Sequence, residues 1–181
     1  MSSGVKIMSA ALGIAALRHS SFKTTANALA ELIDNSIEAN AKNIDIVAGF
    51  QRVHNANRIM YSLSTLAIVD DGDGMPHDIL QRCVSLGYST STNNKESLGR
   101  FGYGLKGASI NQCRKVTVYS WQDTYKNAYS VELDLDKIVE EELDEVEIIK
   151  KEDIPKNLLQ YINSDNSSGT IVLWDKIDRA N

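Results

Sequence analysis

The sequence contains little cysteine, no long hydrophobic run and no surplus of positive charge. Its two cysteines, Cys83 and Cys113, match neither a metal-binding spacing nor a disulfide framework, and we expect reduced thiols in a cytoplasmic protein, or a nuclear one in a eukaryote. No stretch approaches the roughly 18 apolar residues of a membrane-spanning helix. The net charge of −5 and the lack of a basic stripe argue against a general nucleic-acid binder.

The acidic residues are unevenly distributed. Between Asp134 and Asp153 there are ten acidic and three basic residues, a local charge of −7, which leaves 14 acidic and 16 basic residues, a net +2, for the rest of the chain. We therefore predict one domain over 1–181, with an N-terminal arm at 1–19 and an acidic surface excursion at 134–168.

Hydrophobic spacing predicts helices and strands that do not alternate regularly. The predicted helices are 25–40 and 77–87, with a helix start at 105–113, and the predicted strands are 43–50, 59–70, 115–121, 128–135 and 169–177. Residues 51–58 are predicted to be a polar connection. This order favours an α+β two-layer sandwich, with a mixed, mostly antiparallel sheet and helices on one face.

The first predicted helix carries polar side chains at helical spacing. Glu31 and Asn35 are four residues apart and Glu38 follows one turn later, while Leu29, Ile33 and Ile37 form the predicted buried face. An amide oxygen can ligate a hard cation, and a nearby carboxylate can deprotonate a water molecule. A solvated helix face remains the alternative for these residues.

The stretch DDGDGM follows the second predicted strand. Asp70 ends that strand, and glycines at 72 and 74 permit a close approach to the backbone. The carboxylate could accept a hydrogen bond from an exocyclic amine such as that of adenine. A calcium loop is excluded, because Gln81 and Arg82 occupy the positions where a closing Glu would stand. A plain acidic turn remains the alternative.

The stretch GRFGYGLKGAS places four glycines around Lys106. It is not a dinucleotide fingerprint, because a polar loop precedes it, and the P-loop pattern is absent. Glycines at a helix start expose backbone N–H groups, and a helix N-terminus attracts anions. With Arg100 and Lys106 this stretch could bind a polyphosphate, and a flexible loop with a helix cap is the alternative.

Taken together and in this order, the motifs resemble the GHKL ATPases, the superfamily of gyrase B, the ninety-kilodalton heat-shock chaperone, sensor histidine kinases and MutL. ALAELIDNSIEA resembles the family's N-box, DDGDGM its first glycine box, GRFGYGLKGAS its second and Gly169-Thr170 its last. The resemblance extends from about residue 20 to 177. GYGLK and ELIDNS are most similar to MORC-type ATPases and their bacterial relatives.

The resemblance implies a Bergerat fold that binds ATP with Mg2+. It implies that Glu31 is the general base, that Asn35 ligates Mg2+, that Asp70 binds the adenine amine and that 88–104 forms an ATP lid. Asp34 and Glu38 match further polar positions of the N-box. The other nucleotide-binding positions that it implies are Gly72, Gly74, Met75, Gly99, Gly102, Tyr103, Gly104, Leu105, Lys106 and Thr170.

The resemblance further implies ATP hydrolysis coupled to lid closure and to an ATP-dependent homodimer. MORC-, gyrase- and MutL-type enzymes supply a lysine from a following transducer domain, so we expect the chain to be an N-terminal fragment that hydrolyses ATP slowly, with any DNA contact in domains outside it. The alternatives are a histidine or protein kinase and a nucleotide-gated interaction module. His19, His54 and His77 are interpreted as ordinary residues.

Overall fold

The computed structural model of the protein describes residues 10–20, 24–55, 58–85, 104–143, 150–151, 153–163 and 167–179. Within these residues the chain forms five α-helices, six strands and two short 3-10 helices. The helices are α1 (Ala10–Ser20), α2 (Thr25–Glu38), α3 (His77–Cys83), α4 (Gly104–Gln112) and α5 (Leu135–Glu140). The strands are β1 (Ile44–Asn55), β2 (Arg58–Asp70), β3 (Cys113–Trp121), β4 (Tyr129–Asp134), β5 (Lys150–Lys151) and β6 (Gly169–Ile177).

The strands form one sheet in the order β1-β2-β6-β3-β4-β5. Every ladder in the described part is antiparallel, and β6, the last strand in the sequence, lies in the middle. Ile171 of β6 pairs with Val69 on one side and with Tyr119 on the other. The predicted α+β sandwich is confirmed.

The helices cover one face of the sheet, and α2 contributes the part of that layer that matters for function. Thr24 caps α2, because its side-chain oxygen accepts a hydrogen bond from Asn27 N at 3.2 Å. The buried positions of α2 are Ala28, Leu32, Asn35 and Ser36. The predicted buried face was wrong, since Ile37 is 59% exposed and Asn35 is buried. Sequence spacing predicted the helix correctly but assigned the wrong face to the core, because two of its buried residues, Asn35 and Ser36, are polar.

Strands β1 and β2 continue into the segment that was predicted to be a polar connection. Residues 51–55 pair with residues 58–62, and a bulge interrupts the register between Gly49 and Phe50. The prediction failed because these strand ends are exposed on both faces, so their sequence lacks the alternation of a half-buried strand.

The acidic segment 134–168 contributes to both cores. Leu135 and Ile138 of α5 are buried among the helices, while Ile154 and Leu158 pack on the opposite face of the sheet against Val69 and its neighbours. The segment therefore contains buried apolar residues as well as its many charged ones. No helix in the described ranges is long and apolar enough to cross a membrane.

Candidate functional site

Asp70 ends β2 and is buried beneath helix α2. Its Oδ2 accepts a hydrogen bond from Ser36 Oγ at 2.8 Å, and its Oδ1 accepts one from Gly72 N at 3.0 Å. Burial raises the pKa of the Asp70 carboxyl above its usual 3.8, although these hydrogen bonds oppose the shift. A carboxylate that is buried, oriented and without a cationic partner among the described residues is suited to bind a hydrogen-bond donor of a ligand.

The turn after Asp70 depends on its two glycines. A Cβ on Gly72 would lie 2.8 Å from the carbonyl oxygen of Ala39, and one on Gly74 would lie 2.1 Å from that of Trp121. Gly74 also has a φ of +68°, in the left-handed region that favours glycine. The turn therefore packs tightly between the end of α2 and the end of β3. The side chain of Met75, the residue after Gly74, is buried.

Ser120 joins this turn to the sheet. Its Oγ accepts a hydrogen bond from Met75 N at 2.8 Å and lies 3.0 Å from the carbonyl oxygen of Gly169 and 3.1 Å from Thr170 Oγ1. Thr170 in turn pairs with Asp70 across the β2–β6 ladder. The structure thus brings together Asp70, Met75 and Thr170, three residues that are 100 positions apart in sequence at the extremes.

Helices α2 and α4 meet at the other end of this region. A Cβ on Gly104, the first residue of α4, would lie 1.7 Å from Glu31 Oε1, so the Glu31 carboxylate lies directly against the start of α4. Backbone N–H groups at a helix start attract anions, and the carboxylate stands beside them. The geometry suits an acidic side chain that acts next to a bound phosphate.

Asn35 lies one turn after Glu31 on α2 and is the residue predicted to ligate a cation. Its side-chain nitrogen is buried and has no hydrogen-bond partner among the residues that the structure describes. A buried amide nitrogen without a partner costs free energy, so this group is available to donate to a ligand. The described ranges contain no cluster of three His, Cys, Asp or Glu side chains that could hold a metal. The assignment of Asn35 as the Mg2+ ligand therefore stays a prediction, and an amide oxygen is a ligand type that this ion accepts.

Lys106 has a partner other than a phosphate in this structure. Its Nζ donates a hydrogen bond to the carbonyl oxygen of Ser85 at 2.5 Å, and burial lowers the pKa of its ammonium group. The ammonium group has three N–H donors, so the bond to Ser85 leaves others for a phosphate, and the role of Lys106 stays a prediction. Leu105 beside it is buried in the helix-side core.

The remaining predicted residues divide into two groups. Asp34 and Glu38 are exposed on α2, away from the buried positions of that helix. Gly99, Gly102 and Tyr103 lie outside the described residues, as does the predicted lid 88–104 apart from Gly104. Sequence reasoning missed Ser36 and Ser120, which orient Asp70 and the glycine turn. Ser36 lies one turn after Leu32 on the buried stripe, and a correct orientation of α2 would have revealed it.

The fold and the site together define a class of nucleotide-binding domain. The described sheet is antiparallel and has a buried aspartate, Asp70, at the end of β2. Helix α2 carries Glu31 and Asn35, and Glu31 lies against Gly104, the first residue of α4. This arrangement is the one expected of a GHKL domain. The family described as "Histidine kinase-, DNA gyrase B-, and HSP90-like ATPase" matches residues 23–170. The chain belongs to this family.

Comparison with individual proteins supports the MORC-type resemblance. Protein MICRORCHIDIA 3 from Arabidopsis thaliana is 36% identical over 85 residues, which are 47% of this chain and 14% of that protein. Protein MICRORCHIDIA 2 from the same organism is 32% identical over 100 residues, which are 55% of this chain and 15% of that protein. The chain thus matches about a seventh of the length of these curated relatives.

A solved structure shares the fold. The crystal structure of the N-terminal domain of a DNA repair protein superimposes with a TM-score of 0.53 at 18% sequence identity, over 91% of this chain and 39% of that one. At this identity the likeness concerns the fold alone.

Proposed function

We propose that the chain binds ATP with Mg2+ between α2, the glycine turn and the start of α4, and hydrolyses it to ADP and phosphate. The observation that carries the proposal is the pairing of two sites along one helix. Ser36 of α2 holds Asp70 at 2.8 Å, and Glu31 of the same helix stands against Gly104. A ligand with an amine at one end and phosphates at the other would match both sites.

At the adenine end, the Asp70 carboxylate would act as a hydrogen-bond acceptor that is already oriented. Ser36 and Gly72 each donate a hydrogen bond to the Asp70 carboxylate, so its orientation is fixed before a ligand arrives. The exocyclic amine of adenine would donate a further hydrogen bond to the Asp70 carboxylate, which is partly desolvated by burial. Thr170, opposite Asp70 in the ladder, would support the base through a water molecule.

The phosphate end would work by positioning and charge. The N–H groups at the start of α4 would receive the phosphate oxygens, and Asn35 would ligate the ion that neutralises the phosphate charge. Glu31 would accept a proton from the water that attacks the γ-phosphorus, while ADP leaves on the opposite side. The position of the Glu31 carboxylate against Gly104 supports this assignment, because it lies beside the proposed phosphate end.

Glu31→Ala tests the hydrolytic role. We expect ATP affinity, measured by calorimetric titration, to change by less than about threefold, and phosphate release to fall by roughly 100-fold or more, because only the general base is lost. Asp78→Ala, at an exposed site on α3, is the matched control and should behave like the wild type in both assays. Comparable turnover in Glu31→Ala would refute the assignment of the base.

Two further features follow from the family resemblance. ATP would order the lid 88–104 and favour a homodimer, and a lysine from a following transducer domain would complete the phosphate site. A kinase would instead transfer the γ-phosphate to a protein. Incubation with γ-labelled ATP separates the two, since an ATPase releases labelled phosphate and leaves the protein unlabelled.

A further inference from the structure

The outer part of the β1–β2 ribbon is exposed and apolar. Strand β6 pairs with β2 only at residues 65–70, so residues 50–55 and 58–64 form a ribbon of two strands without a third. Of eleven exposed large hydrophobic side chains in the described ranges, six lie on β1 and β2: Ile46, Phe50, Val53, Ile59, Met60 and Tyr61. A two-stranded ribbon is marginally stable alone, and a patch of this kind marks an interaction surface.

The outer edge of β1 is also unpaired. The described sheet begins at β1, so its twelve residues offer backbone N–H and C=O groups with no neighbouring strand. Edge strands are commonly protected by proline, by short length or by a covering segment. Strand β1 has no proline, is long, and is exposed at most positions, so it can accept another strand.

We infer that the partner of β1 is β1 of a second copy of this chain, paired antiparallel about Phe50. The charges along the strand favour this occupant. Asp45 lies near its start, Arg52 and His54 lie near its end, and there is no other acidic residue between positions 46 and 69. Antiparallel self-pairing therefore brings the acidic start of each strand level with the basic end of the other ribbon, where Arg58, and not Arg52 or His54, shares the face of Asp45.

This register also matches side chains on both faces. Pairing about Phe50 sets Asp45 of one copy beside Asn55 of the other, and Asn55 pairs with Arg58 within its own ribbon. Asp45 and Arg58 are exposed, form no ion pair with another described residue, and would share one face across a single strand, roughly 10 Å between backbones. On the same face Val47 meets Val53, and on the other face the two Phe50 rings meet.

The inference is independent of the proposed nucleotide site. Asp45 lines a cavity together with Asp70, but the centre of the proposed contact, Phe50, lies six residues along β1 from Ile44, which pairs with Asp70, so dimerisation by this route needs no ATP. An ATP-dependent dimer could fail to form while this one persists, and the reverse also holds. All measurements are therefore made on the full chain without nucleotide.

The test is a charge exchange followed by sedimentation velocity over a concentration series. We expect the wild type to dimerise. Asp45→Lys and Arg58→Glu should each raise the dissociation constant about tenfold. Each variant places two like charges near one another, at position 45 of one copy and position 58 of the other, and this happens twice in the symmetric dimer. The double variant Asp45→Lys/Arg58→Glu should return the constant to near the wild-type value. Within one chain the two residues lie ten positions apart along the ribbon, about 33 Å, so the rescue can arise only between copies.

Two further variants separate this surface from others. Phe50→Asp, at a side chain that is 63% exposed, should abolish dimerisation without loss of fold by circular dichroism. Asp153→Lys, near the opposite end of the sheet, should leave it unchanged. A monomeric wild type, a dimer indifferent to both charge reversals, or single variants that the double variant does not rescue would each overturn the inference. Association with duplex DNA or anionic vesicles in place of dimerisation would also overturn it.

Discussion

At the scale of single residues, Asp70 is a carboxylate whose charged form is disfavoured by burial. Its carboxylate is 7% exposed and has two hydrogen-bond donors but no cation beside it in the described part. Because burial raises the pKa of this carboxyl in the folded state, its proton is held more tightly than in the unfolded chain. The stabilisation that this group provides is therefore present below the usual value of 3.8 and is lost as the pH rises through the raised pKa.

Asp70→Asn should weaken nucleotide binding without weakening the fold at neutral pH. An amide nitrogen would oppose the adenine amine, so we expect affinity to fall about 10- to 100-fold. The melting temperature of the nucleotide-free protein at pH 7 should equal or exceed that of the wild type, because no charge is buried. Calorimetric titration and thermal unfolding measure the two effects. Asp73→Asn, at an exposed site in the same turn, should change neither, and unaltered affinity in Asp70→Asn would remove Asp70 from the adenine site.

At the scale of elements, the site depends on the hydrogen bond between the end of β3 and the glycine turn. Ser120 is 1% exposed, and its Oγ accepts a hydrogen bond from Met75 N at 2.8 Å. The same hydroxyl contacts the first two residues of β6. One small side chain therefore fixes the turn, the central strand and Asp70 relative to one another.

Ser120→Ala should destabilise the protein by about 1–3 kcal/mol, because it leaves the buried N–H of Met75 without an acceptor. Nucleotide affinity should fall as well, since the turn that carries Met75 loses its anchor. Urea unfolding gives the free energy, and titration gives the affinity. The exposed Ser62 of β2 supplies the control, because Ser62→Ala removes a hydroxyl from the surface. Equal effects of the two changes would show that Ser120 has no special role.

Sequence reasoning recovered what local spacing determines and missed what pairing determines. The end of β2 at Asp70, the start of α2 at Thr25 and the final strand follow from residues that are close in the chain. The outer ribbon and the role of Ser120 follow from contacts between distant residues, which no local pattern encodes. The face of α2 was misjudged because Asn35 and Ser36 are polar and yet point inward.

At the scale of the whole molecule, charged residues join elements that are far apart in the sequence. Arg18 of α1 binds both carboxylate oxygens of Asp178 at 2.7 Å and donates to the carbonyl oxygen of Cys113. Asp136 of α5 pairs with Arg114 of β3 and, at 2.8 Å, with Lys176 of β6. These pairs tie the first helix and the last strand to the same corner of the sheet.

The Asp136 cluster should make stability sensitive to acid. The hydrogen bond from Arg114, with that from Lys176, lowers the pKa of Asp136 to about 2. Its contribution is present above the unfolded value of 3.8 and is lost as the pH falls from there towards 2. Asp136→Asn should therefore be less stable than the wild type at pH 6, and the difference in urea unfolding should shrink below pH 4. Asp153→Asn is the control, and a difference that is independent of pH would contradict the assignment.

The central position of β6 has a consequence for synthesis. Gly169–Ile177 leaves the ribosome after the other described strands of the sheet, yet it fills the gap between β2 and β3 and contributes Ile171, Val172 and Trp174 to the two cores. Until it emerges, the inner edges of two apolar strands have no partner, and they remain open to neighbouring nascent chains. The domain must therefore complete its sheet after translation of residue 177, as a late and non-local step, and chaperones have most to protect in that interval.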